Sequence, residues 1–291
     1  MKFYIVDAFT DTLFGGNPAG VVILPEGADF PSDEVMVKTA AELRYSETAF
    51  IRQTGDHEFN IRYFTPAAEV DLCGHATIGS FSALIYAGMI EKDCNCINHT
   101  LAGDLNIEIK DGFIMMDMAT PQEINTISDP EKIKELYDIM GAEYDPEKIS
   151  LLPKMISTGL PDIMMPLATQ ADLNAMEPDM KALSDLSASY EVVGVHAFTL
   201  DAEEGVTAHA RNFAPLYDID EEAATGTSNG ALTYYFYINN IIGGNDSCKI
   251  VQGEKMDRPS VILTNIQADE KDCKVKVGGG AVILAEGEIN L

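Results

Sequence analysis

A short sequence pattern occurs twice along the chain, and each copy is followed by the same kind of segment. Arg62-Tyr63-Phe64-Thr65-Pro66 reappears as Arg211-Asn212-Phe213-Ala214-Pro215. Downstream of each copy, a glycine leads into a stretch of small and apolar residues, Gly74 before 78–87 and Gly226 before 231–238. Because a repeated order of strand, loop and apolar helix is typical of a duplicated unit, the sequence predicts two domains of similar design.

Length and turn signals divide the sequence near its middle. With 291 residues the chain is long enough for two compact domains. Alternating apolar residues between positions 101 and 118 predict strands, and Pro121 ends that pattern. We therefore expect an N-terminal domain at 1–120 and a C-terminal domain at 121–291. A closing strand predicted at 281–284 either stays in the second domain or returns to the first.

Three positions predict the starts of helices. Ser32 can cap a helix whose first turn would hold acidic residues. Asp129 and Asp145 are each followed by a proline, which is favoured at the first helical position. The segments 78–87 and 231–238 are apolar nearly all round, as expected for helices buried inside a curved sheet.

Charge and cysteine content restrict the partners and the compartment. The chain has 47 acidic and 19 basic residues, a formal net charge of −28. Such a surface repels phosphate backbones and anionic lipids, so we expect neither a nucleic-acid nor a membrane partner. The first residues predict a strand rather than a signal peptide. Five cysteines, an odd number, favour reduced thiols in the cytoplasm over a disulfide framework.

Metal and cofactor signals are weak in this sequence. Cys94-Asn95-Cys96 followed by His99 does not have the spacing of a C-x-x-C knuckle, and no second pair follows. The run Gly278-Gly279-Gly280 leads into a strand pattern instead of the helix that a phosphate-binding loop requires. We therefore predict no metal site and no cofactor.

The two glycines that open the apolar segments are candidates for anion binding. Helices beginning at Gly74 and Gly226 would each present unpaired backbone N–H groups and a partial positive charge. Glycine also lets a ligand approach the backbone closely. The alternative is that these glycines only relieve crowding at a junction between loop and helix.

Motifs along nearly the whole chain resemble the phenazine-biosynthesis isomerase-like (PhzF-like) family. In the first half they are Val6-Asp7-Ala8-Phe9-Thr10, Gly16-Asn17-Pro18-Ala19, Ser46-Glu47-Thr48-Ala49-Phe50, Arg62-Tyr63-Phe64-Thr65-Pro66 and Glu69-Val70-Asp71-Leu72-Cys73-Gly74-His75-Ala76-Thr77. In the second half they are Ser157-Thr158-Gly159-Leu160-Pro161, Arg211 to Pro215, Ala224-Thr225-Gly226, Gln252-Gly253 and Arg258-Pro259-Ser260. The resemblance implies an α+β fold of two pseudo-symmetric diaminopimelate epimerase-like domains, each a mixed curled sheet around a central helix. It also implies a homodimer and an isomerase of a biosynthetic process.

The resemblance assigns roles to particular residues. Glu47 aligns with the acid/base carboxylate of similar enzymes, and His75 with the histidine that contacts substrate. Independently, the apolar strand after Glu47 predicts partial desolvation, which would raise the pKa of its carboxyl group toward neutrality. Glu222 would be the third catalytic residue, and the resemblance implies substrate contacts at Asn17, Ser46, Gly74, Thr225, Gly226 and Thr227.

The second half departs from the family pattern. The family carries Glu-Asp-Pro-Ala-Thr-Gly-Ser where this chain reads Glu221-Glu222-Ala223-Ala224-Thr225-Gly226-Thr227. The expected aspartate is Glu222, whose side chain reaches about 1.5 Å farther, a change large enough to affect catalysis. A carboxylate is retained, so a hydrogen bond to a substrate amine or hydroxyl remains feasible.

The residues and the resemblance are compatible with three functions. The first is a cofactor-independent isomerase that moves a proton within a small cyclic or conjugated carboxylate. The second is an amino-acid racemase or epimerase with one thiol per half, for which Cys73 has only Thr225 as its counterpart. The third is a non-catalytic protein that binds a small carboxylate on the same scaffold.

Overall fold

Strands outnumber helices in the computed structural model, which describes residues 1–217, 219–269 and 272–291. The chain divides into two compact units. The first contains Met1–Asp117 and Gly278–Leu291, and the second contains Met118–Val277. The last strand belongs to the first unit because it pairs antiparallel with the first strand from Lys2 to Ala8.

The first unit consists of one mixed sheet and two helices. Its elements are β1 (Lys2–Ala8), β2 (Asn17–Ile23), α1 (Asp33–Leu43), β3 (Thr48–Gly55), β4 (Glu58–Phe64), β5 (Glu69–Val70), α2 (Gly74–Tyr86), β6 (Cys94–Thr100), β7 (Gly103–Lys110), β8 (Phe113–Asp117) and the C-terminal strand Ala281–Glu288. Helix α2 contacts β1, β2 and β3 as well as β8 and the C-terminal strand. The sheet therefore curls around α2, most of whose residues are buried.

The second unit is also a mixed sheet with a buried helix. Its elements are β9 (Gln122–Thr126), α3 (Pro130–Ile139), β10 (Lys154–Ser157), β11 (Pro161–Leu167), α4 (Gln170–Ala175), α5 (Met180–Tyr190), β12 (Gly194–Thr199), β13 (Ala208–Ala214), β14 (Ile219–Glu222), α6 (Gly226–Ile238), β15 (Ser247–Gln252) and β16 (Ser260–Ala268). β17 (Cys273–Gly279) crosses the division between the units, and the C-terminal strand is β18. Single 3₁₀ turns lie at Pro215–Tyr217 and Glu254–Met256.

The order of strand pairing is the same in both units. In the first, β1–β2 is antiparallel, β2–β3 parallel, β3–β4 antiparallel, β4–β6 parallel and β6–β7 antiparallel. In the second, β10–β11 is antiparallel, β11–β12 parallel, β12–β13 antiparallel, β13–β15 parallel and β15–β16 antiparallel. Both sheets carry a short strand, β5 or β14, just before the buried helix. The predicted duplication is therefore confirmed as a repeated topology.

Local capping explains where two of the helices begin. Ser32 accepts a hydrogen bond from the Val35 N–H at the start of α1, and Asp129 caps α3 ahead of Pro130. The prediction of a third helix after Asp145 is wrong, because the chain there forms a single turn in which Lys148 and Ile149 N–H bond the Asp145 carbonyl. Pro153 restricts the backbone soon afterwards and leaves little room for a longer helix.

Among the residues described above, no helix is both long enough and apolar enough to cross a bilayer.

Candidate active site

A buried carboxylate and a buried imidazole lie side by side in the first unit. Glu47 ends the loop before β3, and His75 is the second residue of α2. Oε2 of Glu47 is 3.1 Å from Nε2 of His75, and the two side chains are 14% and 3% exposed. The Gly20 N–H donates to the carbonyl of Glu47 and fixes its backbone against β2. The structure thus brings together the first two residues predicted to be catalytic.

Three more side chains surround the imidazole of His75. The Asn17 amide nitrogen is 3.1 Å from Nδ1, the Ser46 hydroxyl is 3.4 Å from Nε2, and the Cys73 sulfur is 3.5 Å from Nδ1. An amide carries both a donor nitrogen and an acceptor oxygen, so Asn17 can pair with Nδ1 in either protonation state. The imidazole can therefore gain or lose a proton without leaving its position.

The pKa of Glu47 is lowered, so the expectation that burial raises it is wrong. Burial does disfavour the charged carboxylate, but hydrogen bonds and the charge of His75, together with bonds from Ser46 and Cys73, outweigh that effect. Glu47 is therefore an ionised carboxylate at neutral pH, ready to accept a proton.

The pKa of His75 is raised well above 6.5, and that of Cys73 to about 11. For His75, burial opposes the charge, while the neighbouring Cys73 and Glu47 favour it. For Cys73, burial is the main cause, and the charge of Glu47 adds to it. Since the Cys73 thiol is neutral near pH 7, Glu47 is the partner that keeps His75 protonated. Cys73 is the buried N-terminal cap residue of α2, as predicted.

A glycine is required where the chain turns to place Asn17. Gly16 has a φ of +64°, and a Cβ there would lie 2.1 Å from the Ala8 carbonyl oxygen. Only glycine fits such a close approach with this backbone conformation. The loop can then return directly into β2, whose first residue is Asn17.

A hydrogen-bonded group supports α2 from inside the sheet. The Asn98 amide donates to the Tyr63 hydroxyl at 2.9 Å, and that hydroxyl lies 2.7 Å from the Thr77 hydroxyl. Thr77 in turn donates to the carbonyl of Cys73 at 2.7 Å. These buried contacts hold the first turn of α2 and thus the position of His75.

In the second unit, a carboxylate lies at the start of the equivalent helix. Glu222 is the last residue of β14, and its Oε2 accepts a hydrogen bond from the Thr225 hydroxyl at 2.6 Å. Thr225 is the N-terminal cap residue of α6 and makes no side-chain cap bond to the helix. The longer side chain of Glu222 thus folds back toward the helix that it precedes.

Gln252 ties this region together, and its role was missed from the sequence. Its amide oxygen accepts from the Thr225 N–H at 3.3 Å and from the Asn229 amide at 2.7 Å. Its amide nitrogen donates to the Glu222 carbonyl at 2.7 Å. A Cβ on the following residue, Gly253, would lie 2.7 Å from the Ala223 carbonyl oxygen, and Gly253 has a φ of +79°. The Gln252-Gly253 motif was the available signal, and it marks a position where a strand end must approach the loop closely.

Two other predicted contact residues lie at the first turn of α6. Gly226 begins the helix and is buried, and Thr227 follows it, half-buried. The hydroxyl of Thr158 donates to the Thr227 carbonyl at 2.8 Å. The motif at Ser157 to Pro161 therefore supports the start of α6.

Asp162 is a buried titratable group that sequence reasoning did not identify. The Ser228 hydroxyl donates to its Oδ2, and the Asn212 amide donates to that hydroxyl at 3.2 Å. Burial raises the pKa of Asp162 to about 6, and the charge of Glu222 acts in the same direction. Nothing in the local sequence marks Asp162 as buried, apart from its place directly after the motif that ends at Pro161.

An arginine–glutamate pair recurs in both units. Arg62 makes two hydrogen bonds to Glu69, at 2.7 and 2.6 Å, and Arg211 makes two to Glu221, both at 2.9 Å. Each guanidinium lies over the phenylalanine two residues later, at 5.1 Å in the first unit and 4.9 Å in the second. Because two parallel bonds fix geometry as well as charge, each pair holds the short strand that leads to the buried helix.

The predicted site residues thus fall into two groups. Asn17, Ser46, Glu47, Gly74 and His75 surround the start of α2 in the first unit. The second unit holds Glu222, Thr225, Gly226 and Thr227 at the start of α6.

Within the described residues, two sets of side chains have donor atoms close enough to share a metal ion. One is Glu47, Cys73 and His75, and the other is His57, Cys94 and Cys96. His99, the histidine next to the cysteines in sequence, instead lies 2.7 Å from Asp104. His99 lies on β6 an odd number of residues from Cys94 and Cys96, so its side chain points to the opposite face of the strand.

Comparison with known proteins gives one consistent family. A family model described as phenazine biosynthesis-like protein matches residues 6–287. An uncharacterized isomerase from Clostridium acetobutylicum is 32% identical, with 100% of this chain and 98% of that protein covered.

Solved structures agree with the observed fold. A phenazine biosynthesis protein of the PhzF family from Bacillus anthracis is 26% identical, with a TM-score of 0.86, and 100% of this chain and 99% of that one are covered. A probable proline racemase from Agrobacterium radiobacter has a TM-score of 0.64 at 12% identity, with 100% and 93% covered, and so shares the fold alone. The architecture is therefore the α+β, diaminopimelate epimerase-like fold.

Proposed function

Because the chain belongs to the phenazine biosynthesis-like family, we propose that it is a cofactor-independent isomerase that moves a proton within a small cyclic or conjugated carboxylate. The observation that carries this proposal is the buried pair of Glu47 and His75 at the start of α2. A carboxylate held ionised beside a protonated imidazole suits a reaction in which a proton is taken from one carbon and returned to another.

In this mechanism Glu47 is the acid/base residue. Its carboxylate accepts a proton from a carbon whose anion is stabilised by conjugation, and it later returns that proton to a different carbon. The double bond shifts between the two carbons, and no net oxidation or reduction occurs. Burial favours a higher pKa for Glu47, against the effect of its hydrogen-bond partners. A bound substrate that excludes water from the exposed part of the Glu47 carboxylate would therefore raise its pKa and bring its proton affinity closer to that of the substrate carbon.

The other residues bind and stabilise. His75 stays paired with Glu47 as an ion pair at 3.1 Å and keeps the carboxylate oriented, while Asn17 keeps the imidazole in place. Backbone N–H groups near Gly74, and in the second unit near Gly226 and Thr227, suit the negative charge of a substrate carboxylate or of the intermediate. Glu222 suits a hydrogen bond from a substrate amine or hydroxyl.

A racemase with paired thiols is the weaker alternative. The position equivalent to Cys73 is Thr225, whose hydroxyl already bonds Glu222 and is too weak an acid to serve as a thiolate substitute. The raised pKa of Cys73 also leaves it protonated near neutrality. A non-catalytic carboxylate binder has no evident need for the ion pair of Glu47 and His75.

We also infer a homodimer in the cytoplasm that acts on a small acidic molecule and binds neither nucleic acid nor membrane. The free state of all five cysteines and the net charge of −28 support this environment. Light scattering coupled to size exclusion tests the dimer: a mass of one chain at micromolar concentration would contradict it.

The decisive experiment is proton exchange in D₂O. The protein is incubated with cyclic dihydroaromatic carboxylates, such as a dihydro-hydroxyanthranilate, and with chiral amino acids, and products are followed by NMR and mass spectrometry. We expect deuterium uptake and double-bond migration in a cyclic compound with the wild type, and neither with Glu47→Gln. Glu34→Gln, at an exposed glutamate paired with Lys38, serves as the matched control and retains activity.

Each other outcome has a definite meaning. Exchange at an amino-acid α-carbon would replace the proposal with racemisation. Isomerisation that persists in Glu47→Gln would refute the assignment of Glu47. Tight binding of a carboxylate without exchange would favour the binder.

A further inference from the structure

A second cluster of sulfur and nitrogen side chains lies in the first unit and uses none of the candidate active-site residues. It consists of Cys94, Cys96 and His57, whose donor atoms all lie within 4.8 Å of one another. The Cys94 and Cys96 sulfurs are 3.8 Å apart, and the Cys96 sulfur is 3.8 Å from Nδ1 of His57. The two cysteines are close in sequence, whereas His57 is distant and is brought to them by the pairing of β4 with β6.

The backbone holds these side chains in place. Cys94 and Cys96 are two residues apart on β6, so both point to the same face. His57 lies in the turn between β3 and β4 with a φ of +57°. Its carbonyl accepts a hydrogen bond from the Ile97 N–H at 2.9 Å, and β4 runs parallel to β6 from Glu58 onward. The sheet therefore fixes the backbone of His57 beside β6, the strand that carries the two thiols.

The spacing of the three donor atoms suits a tetrahedral ion. With bond lengths of about 2.3 Å to sulfur and about 2.0 Å to nitrogen, tetrahedral zinc separates two sulfurs by about 3.8 Å and a sulfur from a nitrogen by about 3.5 Å. The observed separations of 3.8 Å are close to these values. An ion could thus be held with only small side-chain adjustments.

A disulfide is the competing explanation for two adjacent thiols. Residues two apart on one strand have Cα atoms about 6.6 Å apart, near the upper end of the range that a disulfide tolerates. Bonding Cys94 to Cys96 would therefore strain the strand, and it would leave the approach of His57 unexplained. Coordination uses all three groups.

Two carboxylates lie on the far side of the imidazole. Nε2 of His57 is 3.6 Å from Oε2 of Glu91 and 3.8 Å from Oδ1 of Asp56. When Nδ1 of a histidine ligates a metal, its other ring nitrogen is usually oriented by a carboxylate, which also increases ligand basicity. Glu91 and Asp56 lie on the side where such partners are found, although both distances are longer than a hydrogen bond.

We propose that Cys94, Cys96 and His57 form a binding site for one Zn²⁺ ion, with a water molecule as the fourth ligand. On binding, the hydrated ion exchanges all but one of its water ligands for two zinc–sulfur bonds and one zinc–nitrogen bond, and the released waters and the two thiol protons pass to solvent. The side chain of His57 is 31% exposed, which leaves a path for the ion and the water. The bound ion would tie the turn between β3 and β4 to β6.

The test titrates metal into the reduced, metal-free full-length protein. Zn²⁺ is added in competition with a chromophoric chelator, and Co²⁺ is added separately as a spectroscopic substitute. We expect one ion per chain, a thiolate-to-cobalt charge-transfer band, and a rise in thermal midpoint with Zn²⁺. Cys94→Ser, Cys96→Ser and His57→Asn should each weaken binding by at least about 100-fold, and Glu91→Gln by about 10-fold. Asparagine is chosen at position 57 because it tolerates the left-handed backbone.

Matched variants separate this site from other thiols and histidines. His99→Asn changes the opposite face of β6, and Cys273→Ser changes a thiol in another strand, so both should bind as the wild type does. Cys73→Ser should also retain binding, and loss of binding in that variant alone would assign the metal to the cluster with Glu47. Binding below one equivalent, or unchanged affinity in a folded Cys94→Ser protein, would overturn the proposal. Isomerase activity plays no part in these readouts.

Discussion

The starts of α2 and α6 are built alike but carry different chemistry. Both helices have thirteen residues, begin at a glycine, and follow a cap residue that makes no side-chain bond to the helix. At α2 the neighbouring groups are an ionised carboxylate and a protonated imidazole. At α6 they are hydroxyls and amides around Glu222, and the carboxyl group of Asp162 accepts a hydrogen bond from Ser228 in the first turn of the helix.

The two units share their scaffold and differ in the side chains at the helix start. The strand order and the arginine–glutamate pair recur, so the backbone of each helix start is set in the same way in both units. The residues that differ are the cap residue itself, Cys73 against Thr225, and the second residue of the helix, His75 against Thr227. A duplicated scaffold can therefore hold a paired carboxylate and imidazole in one half, and a carboxylate surrounded by hydroxyls and amides in the other.

The largest expected difference between the halves is in catalysis. Glu47→Gln should lower kcat/KM by about 10³-fold, because it removes the carboxylate that we propose as the general base. Glu222→Gln should lower it by about 10- to 100-fold, mainly through KM, because the amide still makes hydrogen bonds. Steady-state isomerisation rates check both values. Equal losses in kcat would mean that the two carboxylates share the proton transfer.

The arginine pairs should differ in their contribution to stability. Arg211 is 6% exposed and also donates to the carbonyls of Leu173 and Met176, whereas Arg62 is 22% exposed. Arg211→Leu should therefore destabilise by about 3 to 5 kcal/mol and Arg62→Leu by about 1 to 2 kcal/mol. Urea unfolding followed by circular dichroism is the measurement, since the chain has no tryptophan. A larger effect at Arg62 would contradict the burial argument.

The ion pair of the first unit should have its own pH dependence. Because the pKa of Glu47 is lower in the folded state, Glu47 stabilises the fold fully at pH values above its ordinary pKa of 4.5. This stabilisation is lost as the pH falls through the pKa of Glu47 in the folded state. The raised pKa of His75 adds stability that is complete below 6.5 and lost as the pH rises through its folded value. His75→Asn should therefore destabilise most between pH 4.5 and 6.5, by about 3 kcal/mol, and less at pH 9. A difference that does not change with pH would show that the pair is not ionised.

In the second unit, the pH dependence of stability due to Asp162 should be opposite to that due to Glu47, because the pKa of Asp162 is raised and that of Glu47 is lowered. The pKa of Asp162 is raised from 3.8 to about 6, so the folded state loses stability as the pH rises through that window. Asp162→Asn should therefore stabilise by about 1 to 2 kcal/mol at pH 8 and have no benefit at pH 3.5. Thermal unfolding at the two pH values checks this. Destabilisation at pH 8 would indicate that the charged carboxylate is needed there.

The smallest effect is expected at the two cap positions. Cys73→Ala should retain activity within about threefold, because a neutral buried thiol takes no part in the proton transfer. Thr225→Ala should have a somewhat larger effect, since it removes the hydroxyl that bonds Glu222. Rates from the same isomerisation assay are compared. Complete loss in Cys73→Ala would restore the thiol-based racemase.

Parts of the site were predictable because their signals are local. The glycines at 74 and 226, the caps at Ser32 and Asp129, and the motif around Glu47 depend on residues adjacent in the chain. The turn at Asp145 shows the limit of such signals, since a cap followed by proline starts a helix only where the following chain can continue it.

The sequence by itself determined that the chain has two similar halves, because repeats are visible in chain order. The resemblance of its motifs to the PhzF-like family implied that Glu47 and His75 belong to one site. Tertiary structure alone decided that the pKa of Glu47 is lowered, that Asp162 is buried beside Ser228, and that His57 instead of His99 approaches Cys96. The physical reason is that proton affinities and shared ligands depend on groups within a few ångströms. Strand pairing, such as that of β4 with β6, brings those groups together from distant parts of the chain.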